Sequence, residues 1–248
     1  EQTNMYDLII RIGLTAIEIP VGTVSASEEL WSYLNEEAVR QVRSPALGFN
    51  GLRMGRGDLK NWPDVAKVLS RMTGRRLQEA SIITMPGNPT PITLATGMPV
   101  QTIFVYRADR TFEGMDYPPG DNVLNVTCTY DQDDPTTILI TAVPQVHSAR
   151  RRPKFVKAGS DFMMVNRPVI YSIPDATFQV HMPKGSFLVI GPGAESQRPS
   201  SVGNKFFVKQ REGVEFETVI VLRPDIFATP VTKPKPLPLT PALPTKNN

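Results

Sequence analysis

The sequence predicts a mainly β (α+β) protein of many short strands with one or two short helices. Proline makes 24 of the 248 residues, about twice its usual share of ~5%, and is spread along the whole chain, so long helices cannot dominate. Beyond residue 74 the apolar residues recur mostly with a period of two, which is the period of a strand. With 40% hydrophobic residues and one cysteine, the chain can form its own core without disulfide bonds.

The first predicted element is a long, half-buried strand over residues 6–19. Leu8, Ile10, Ile12 and Leu14 fall on one face of it, because successive side chains of a strand alternate between its two faces. Pro20 follows and ends the pattern.

Two segments favour helix. A short one follows Ser25 or Ser27, either of which is a suitable N-cap, and runs to Leu34. The clearer one covers residues 62–73 and is expected to stop at Gly74, since glycine readily adopts the left-handed conformation that ends a helix. Its apolar face repeats at helical spacing and comprises Trp62, Val65, Leu69 and Met72.

The segment 44–57 holds four glycines and one proline, which predicts a loop or a short irregular hairpin. After residue 74, strands are separated by Pro, Gly, Asn or Asp. The predicted strands are 81–84, 91–95, 100–106, 123–130, 136–143, 177–181, 187–190, 205–209 and 215–222.

The last residues differ in composition from the rest. Six prolines lie between positions 230 and 248, which predicts an extended, polyproline-like tail. We therefore divide the chain into a β domain, residues 1–228, and a Pro-rich tail, residues 229–248. The opening residues Glu1-Gln2-Thr3-Asn4, without an initiator methionine, favour a processed chain or a fragment.

No arrangement of residues typical of catalysis is found, so the chain is not expected to be an enzyme or to need a cofactor or metal. His147 and His181 are isolated in the sequence, without the further ligands that a metal site requires. Cys128 lies within a predicted strand and is interpreted as a small buried apolar residue. The net charge of +3 is too small to indicate a nucleic-acid partner, and no apolar run approaches the ~18 residues of a membrane-spanning helix.

One basic cluster stands out, although the net charge of the chain is small. It comprises Arg150, Arg151, Arg152, Lys154 and Lys157. Three interpretations remain open: a solvated hairpin tip, a ring of positive charge at a pore mouth in a symmetric assembly, or a patch facing acidic lipid headgroups.

Taken in order, the elements resemble the secretin family, the ring-forming outer-membrane channels of bacterial secretion and pilus systems. The resemblance covers roughly residues 6–228. It is carried by the opening strand, the helix 62–73 with Gly74, the central hairpin and the closing strand. The matching segments are 8–19, 62–84, 87–100, 123–146, 184–193 and 217–226. The family's proline-containing repeat before the last strand is absent, and Gln197 to Lys205 stands in its place.

The resemblance implies secretin-like mixed β-sheets and a structural subunit of a homo-oligomeric ring or pore, with hairpins contributed to a shared multi-subunit β-barrel. The segments around 100–122 and 148–176 are the candidate membrane or gate hairpins. Their candidate residues are Phe104, Tyr106, Phe155, Phe162, Met163, Val165, Ile170 and Tyr171. The implied partners are further copies of this chain, outer-membrane lipid and other envelope proteins, in the outer membrane or periplasm. The alternative is a soluble periplasmic structural or peptide-binding β-domain that forms no pore.

Overall fold

A computed structural model of the chain describes residues 6–38, 44–134, 136–159 and 161–230. Strands make up 58% of the described residues, which confirms the mainly β class. The described strands are β1 (Tyr6–Pro20), β2 (Leu52–Asp58), β3 (Ala80–Thr84), β4 (Pro89–Met98), β5 (Gln101–Tyr106), β6 (Phe112–Tyr117), β7 (Gly120–Tyr130), β8 (Ile138–Ala158), β9 (Asp161–Ser172), β10 (Phe178–Met182), β11 (Ser186–Pro192), β12 (Val208–Arg211) and β13 (Val214–Pro230). The described α-helices are α1 (Ser44–Phe49), α2 (Trp62–Thr73) and α3 (Val202–Phe207).

These strands form three sheets. The first has the order β2-β11-β13-β1-β3, with β12 also paired to β13. The second has the order β10-β8-β7-β4, with β9 also paired to β8, and the third is the β5–β6 hairpin. All pairs between these strands are antiparallel, so the mixed sheets expected from the sequence are antiparallel ones.

The main core lies between the first and second sheets. Ile12 of β1 and Leu222 of β13 belong to the same buried cluster as Leu124 of β7 and Ile140 of β8. A second cluster lies on the other face of the first sheet, where Ile19 packs with helix α2. Both faces of the first sheet are therefore covered, and the layers run helix, sheet, sheet.

Helix α2 has the predicted bounds. Val65 and Leu69 are fully buried, and Trp62 and Met72 pack partly buried against the same cluster. Gly74 follows in the left-handed conformation, with φ of 63°, and its N–H donates to the carbonyl of Arg71. Local spacing and a glycine stop were sufficient signals here, because the helix needs only one buried face.

The predicted loop over 44–57 is wrong. The described part of this segment contains helix α1 and most of strand β2, which pairs with β11 from Leu52↔Pro192 to Asp58↔Ser186. Glycine disfavours a strand locally, but here it makes room: a Cβ on Gly57 would lie 2.1 Å from the Phe187 ring. The Phe187 ring therefore leaves no room for a side chain at position 57. The glycine that made the segment look irregular in the sequence is needed for this packing.

The short helix predicted before Leu34 forms only a 3₁₀ turn, Trp31–Tyr33. The chain is held by long-range contacts instead. Glu217, buried on β13, accepts hydrogen bonds from the backbone N–H groups of Gly22, Val24 and Ser25 at 2.9–3.1 Å. These contacts fix the chain just before the turn, where local bonds such as that from the Ser32 N–H to the Glu28 carbonyl form a single turn.

The strand predicted over 205–209 is half wrong, because α3 covers Val202–Phe207 and only then does β12 begin. Ser201 caps this helix by accepting from the N–H of Asn204, and Phe206 and Phe207 are buried. A helix places this adjacent pair against one core, whereas a strand would point them to opposite faces.

Within the described residues, no helix is long and apolar enough to cross a membrane. Strand β13 extends past the predicted domain end at 228, to Pro230, which pairs with Tyr6. The remainder of the Pro-rich tail lies outside the described residues.

Candidate functional site: a two-faced hairpin beyond the core

Strand β8 lies in two different environments. From Ile138 to Ser148, most alternate residues are buried, and β7 and β10 pair with this half. From Ala149 onward, no described side chain of β8 is buried. The pairing of β7 stops at Gly120↔Ser148, so the strand leaves the sandwich at Ser148.

A two-residue irregularity bends the strand at this exit. His147 pairs with Ile170 and Arg151 with Pro168, so β8 advances four positions while β9 advances two. The N–H of Arg150 donates to the Ser148 hydroxyl inside this bulge. Since bulges bend a strand and increase its twist, the bulge turns the outer part of the hairpin away from the sheet.

Beyond the bulge, the outer part has two paired arms, 151–158 and 161–168, joined at the Ala158↔Asp161 pair. Eight residues at ~3.4 Å each make an arm ~27 Å long. The apolar band of an outer-membrane barrel is ~25 Å tall. The length of the arms is thus close to the height of that band.

Both outer edges of this hairpin lack a strand partner among the described strands, since each arm pairs only with the other. The far edge of the same sheet, β4, contains Pro89 and Pro91, which remove backbone donors and hinder the addition of another strand. No proline occurs in β9 between Asp161 and Arg167. One edge of the sheet is therefore blocked, and the edge on the arms is available for pairing.

The register divides the arms into two faces, because side chains alternate along each strand. The first, which we call the aromatic face, comprises Pro153, Phe155, Phe162, Met164, Asn166 and Pro168. The second, which we call the cationic face, comprises Arg152, Lys154, Val156, Asp161, Met163, Val165 and Arg167. Arg151 and Lys157 lie towards the two ends of the aromatic face. Both phenylalanines therefore lie on one face, and three of the five cations lie on the other.

The apolar side chains of the arms are unusually exposed. The exposed fraction is 69% for Phe155, 71% for Phe162 and 64% for Met164. Soluble monomers rarely present several large apolar side chains together. The aromatic face is thus a surface that water solvates poorly.

The structure does not keep the predicted basic cluster on one surface. Arg152 and Lys154 lie on the cationic face, whereas Arg151 and Lys157 lie on the opposite one, and Arg150 lies in the bulge. Arg167 was missed by sequence reasoning. It lies directly opposite Arg152 in the strand register. The sequence alone does not indicate this position, because it depends on how the two strands pair.

The remaining predicted hairpin residues lie at the base of the arms or elsewhere. Tyr171 pairs with the buried Val146 and meets Tyr117 edge-on, with 6.3 Å between the ring centroids. Ile170, beside it, is exposed. These contacts join the base of the arms to the β5–β6 hairpin.

The β5–β6 hairpin, which contains the predicted Phe104 and Tyr106, is tied to the core more closely than the arms. Ile103 and Val105 of β5 are buried in the main core. The Phe104 N–H donates to the carbonyl of Ser200 at 2.8 Å, while its side chain remains exposed. Only one face of this hairpin is therefore free.

Two side chains of types that can take part in chemistry, Cys128 and His181, lie away from the arms. Burial raises the pKa of the Cys128 thiol to about 12, so the thiol is protonated and unreactive at neutral pH. His181 Nδ1 lies 2.6 Å from Asp131 Oδ2. Within the described residues, no group of three or more His, Cys, Asp or Glu side chains is arranged to hold a metal ion.

No protein-family model matches the chain, and no curated protein sequence is significantly similar to it. Structural comparison aligns it with solved secretins. The secretin-domain β-barrel of InvG, from the Salmonella SPI-1 injectisome, is 9% identical over 94% of this chain and 63% of that chain, with a TM-score of 0.17. The V. cholerae type IV competence pilus secretin PilQ is 12% identical over 89% of this chain and 57% of that chain, with a TM-score of 0.22.

The chain thus spans less than two thirds of the length of either of these secretin structures.

Proposed function

We propose that this chain is a structural, non-enzymatic subunit of a large homo-oligomeric ring or pore in the bacterial outer membrane, of the kind that secretin channels form. The observation that carries the proposal is the pair of arms beyond Ser148. The length of each arm is close to the ~25 Å height of the apolar band of an outer-membrane barrel, and together the arms present exposed aromatic side chains and unpaired edges.

The free edges support a ring of subunits. A strand cannot remain in the hydrocarbon core of a membrane with unpaired N–H and C=O groups, since each costs several kcal/mol there. One hairpin cannot close on itself, but the β8 edge of one copy and the β9 edge of the next have complementary antiparallel directions. When this pairing is repeated around a ring, every edge strand gains a hydrogen-bonded partner, and the hairpins form one barrel shared by all copies.

The positions of the two prolines in the arms agree with such pairing. Pro153 pairs with Asn166, and Pro168 with Arg151. A proline is tolerated within a ladder only where its nitrogen points away from the partner strand. The hairpin therefore loses no internal hydrogen bond, and each outer edge lacks one donor, near its base. Towards the tip, both edges keep their donors for a neighbouring copy.

The aromatic face supports contact with lipid. Phe155 and Phe162 lie on one side, and Arg151 and Lys157 lie towards its ends, where long cationic side chains can reach the headgroups. Outward apolar residues bounded by polar interfaces are typical of outer-membrane strands. Other proteins of the cell envelope are the further partners this location implies.

Purified chain, reconstituted with vesicles of phosphatidylethanolamine and phosphatidylglycerol, tests the proposal. We expect rings in negative-stain images, a very large species that withstands mild detergent, and flotation with the vesicles. A monodisperse monomer that neither forms rings nor floats would overturn the proposal and favour the soluble periplasmic β-domain.

A charge substitution tests the role of the arms. Phe155→Glu with Phe162→Glu should leave the circular dichroism of the monomer unchanged and abolish rings. The matched control is Ile83→Glu on β3, because Ile83 has the same exposed fraction as Phe155, 69%. Rings that persist in the double variant would exclude the arms from the assembly, and loss of rings in both variants would show that added charge alone is responsible.

A further inference from the structure

The cationic face carries a repulsion that nothing in the described structure relieves. Arg152 and Arg167 pair directly across the ladder, where Cβ atoms are ~4.5–5.5 Å apart and like charges destabilise the pair. Lys154 lies on the same face, one repeat further along. The three cations are thus concentrated on a strip two strands wide.

No acidic side chain of the described residues forms an ion pair with these three cations. Asp161 shares their face but is roughly 20 Å from Arg167 along β9, at ~3.3 Å per residue. Other exposed cations, Lys67 and Lys184 among them, also form no ion pair within the described residues. What is particular to the arms is the direct opposition, because Arg152↔Arg167 is the one cation–cation pair among the described strand pairs. A mobile anion is the simplest group to offset it.

The opposite character of the two faces sets their orientation in a ring. Placing an arginine or lysine against the lipid at the middle of an outer-membrane strand costs ~2–4 kcal/mol. The aromatic face carries two cations, Arg151 at the base and Lys157 near the tip, beside two phenylalanine rings. The cationic face carries three: Arg152 and Arg167 are paired near the base, and Lys154 lies at the middle of its arm beside smaller apolar side chains. The lower-energy arrangement turns the aromatic face to lipid and the cationic face to the water-filled interior.

We infer that Arg152, Lys154 and Arg167 line the lumen of the pore and make it selective for anions. The inference rests on the proposed ring, because only repetition of the three cations around a closed lumen gives a field strong enough to exclude cations. The class of solute favoured is small inorganic anions and acidic organic solutes; cations are disfavoured.

Reversal potentials across planar bilayers test this. With a KCl gradient across the membrane, pores of the full chain should prefer chloride over potassium by about threefold or more. Arg152→Gln with Arg167→Gln should bring that ratio close to one. The control, Arg151→Gln with Lys157→Gln, removes the same charge from the opposite face and should leave the ratio within about twofold of the unaltered pore.

The outcomes separate the inference from the proposed function. Conducting pores that prefer potassium would overturn the inference and leave the proposed ring intact. So would pores whose chloride preference is unchanged by Arg152→Gln with Arg167→Gln. Equal loss of selectivity in both double variants would overturn the assignment of the faces. If Arg152→Gln with Arg167→Gln left the selectivity unchanged but weakened binding to phosphatidylglycerol vesicles, the three cations would be assigned to contact with lipid headgroups instead. Absence of rings and of conductance would overturn the proposed function, and the inference with it.

Discussion

The two halves of strand β8 have a continuous backbone and opposite surroundings. In the inner half, Ile140, Ala142 and Val146 are fully buried, with β7 on one edge and β10 or the base of β9 on the other. In the outer half, Phe155 is 69% exposed, and β9 is its only partner. The contrast shows that an alternating apolar pattern predicts a strand but not whether a second layer covers it.

Polar groups differ between the two regions in the same way. In the core, the carboxylate of Glu217 is satisfied by the backbone of residues 22–25. On the arms, Arg152 faces Arg167 with no carboxylate partner. Buried polar groups must be paired because water is excluded, whereas an exposed or lumen-facing charge remains solvated.

The largest effect expected concerns the two halves of β8. Ile140→Ala removes a fully buried side chain and should lower the free energy of unfolding by about 2–5 kcal/mol. Phe155→Ala, in the outer half, should change it by less than ~0.5 kcal/mol. Urea denaturation of the monomer measures both changes in the free energy of unfolding. Similar losses for the two variants would mean that the arms pack against the core.

Thiol reactivity sharpens the comparison. Cys128 is buried, with a pKa raised to about 12, so it should react with a disulfide reagent at pH 8 at least ~100-fold more slowly than in the unfolded chain. In a variant with Cys128→Ala, a cysteine introduced by Met163→Cys should react as an exposed thiol does. A rapid reaction of Cys128 in the native protein would contradict its burial.

The third prediction compares polar groups. Glu217→Gln places an amide where only an acceptor fits, and should cost about 1–3 kcal/mol of unfolding free energy. Arg152→Gln should be neutral or stabilise the monomer by a few tenths of a kcal/mol, because it relieves the repulsion with Arg167. Chemical denaturation of both variants gives the values. A destabilising Arg152→Gln would reveal a partner for this cation.

The smallest effect is a pH dependence at the end of the sandwich away from the arms. The backbone N–H of Asp133, followed by His181, lowers the pKa of Asp131. A carboxyl with a lowered folded-state pKa contributes stability above its unfolded pKa of ~3.9, and this contribution is lost as the pH falls through the folded value. Melting temperatures between pH 2 and 6 should fall less steeply below pH ~4 for Asp131→Asn. An unchanged acid slope would show that the contact adds nothing to stability.

Several elements follow from the sequence because their signals are local. The two-residue period of residues 6–19 predicted β1, and helical spacing with a terminal glycine predicted α2 with its buried Val65 and Leu69. The exposed residues of the arms were also singled out, since an aromatic cluster beside a basic one is visible without a structure. The proposed role of these residues stays a prediction.

Only the tertiary structure decided the rest. Strand β2 is stabilised by β11 despite its glycines, and α3 forms because the core accepts both Phe206 and Phe207. Likewise, the bulge between His147 and Arg151 sets which cations share a face, and pairing places Arg167 beside Arg152. The physical reason is the same in each case. A sequence encodes the period and chemistry of a segment, while burial, register and the sharing of a face depend on partners that are distant along the chain.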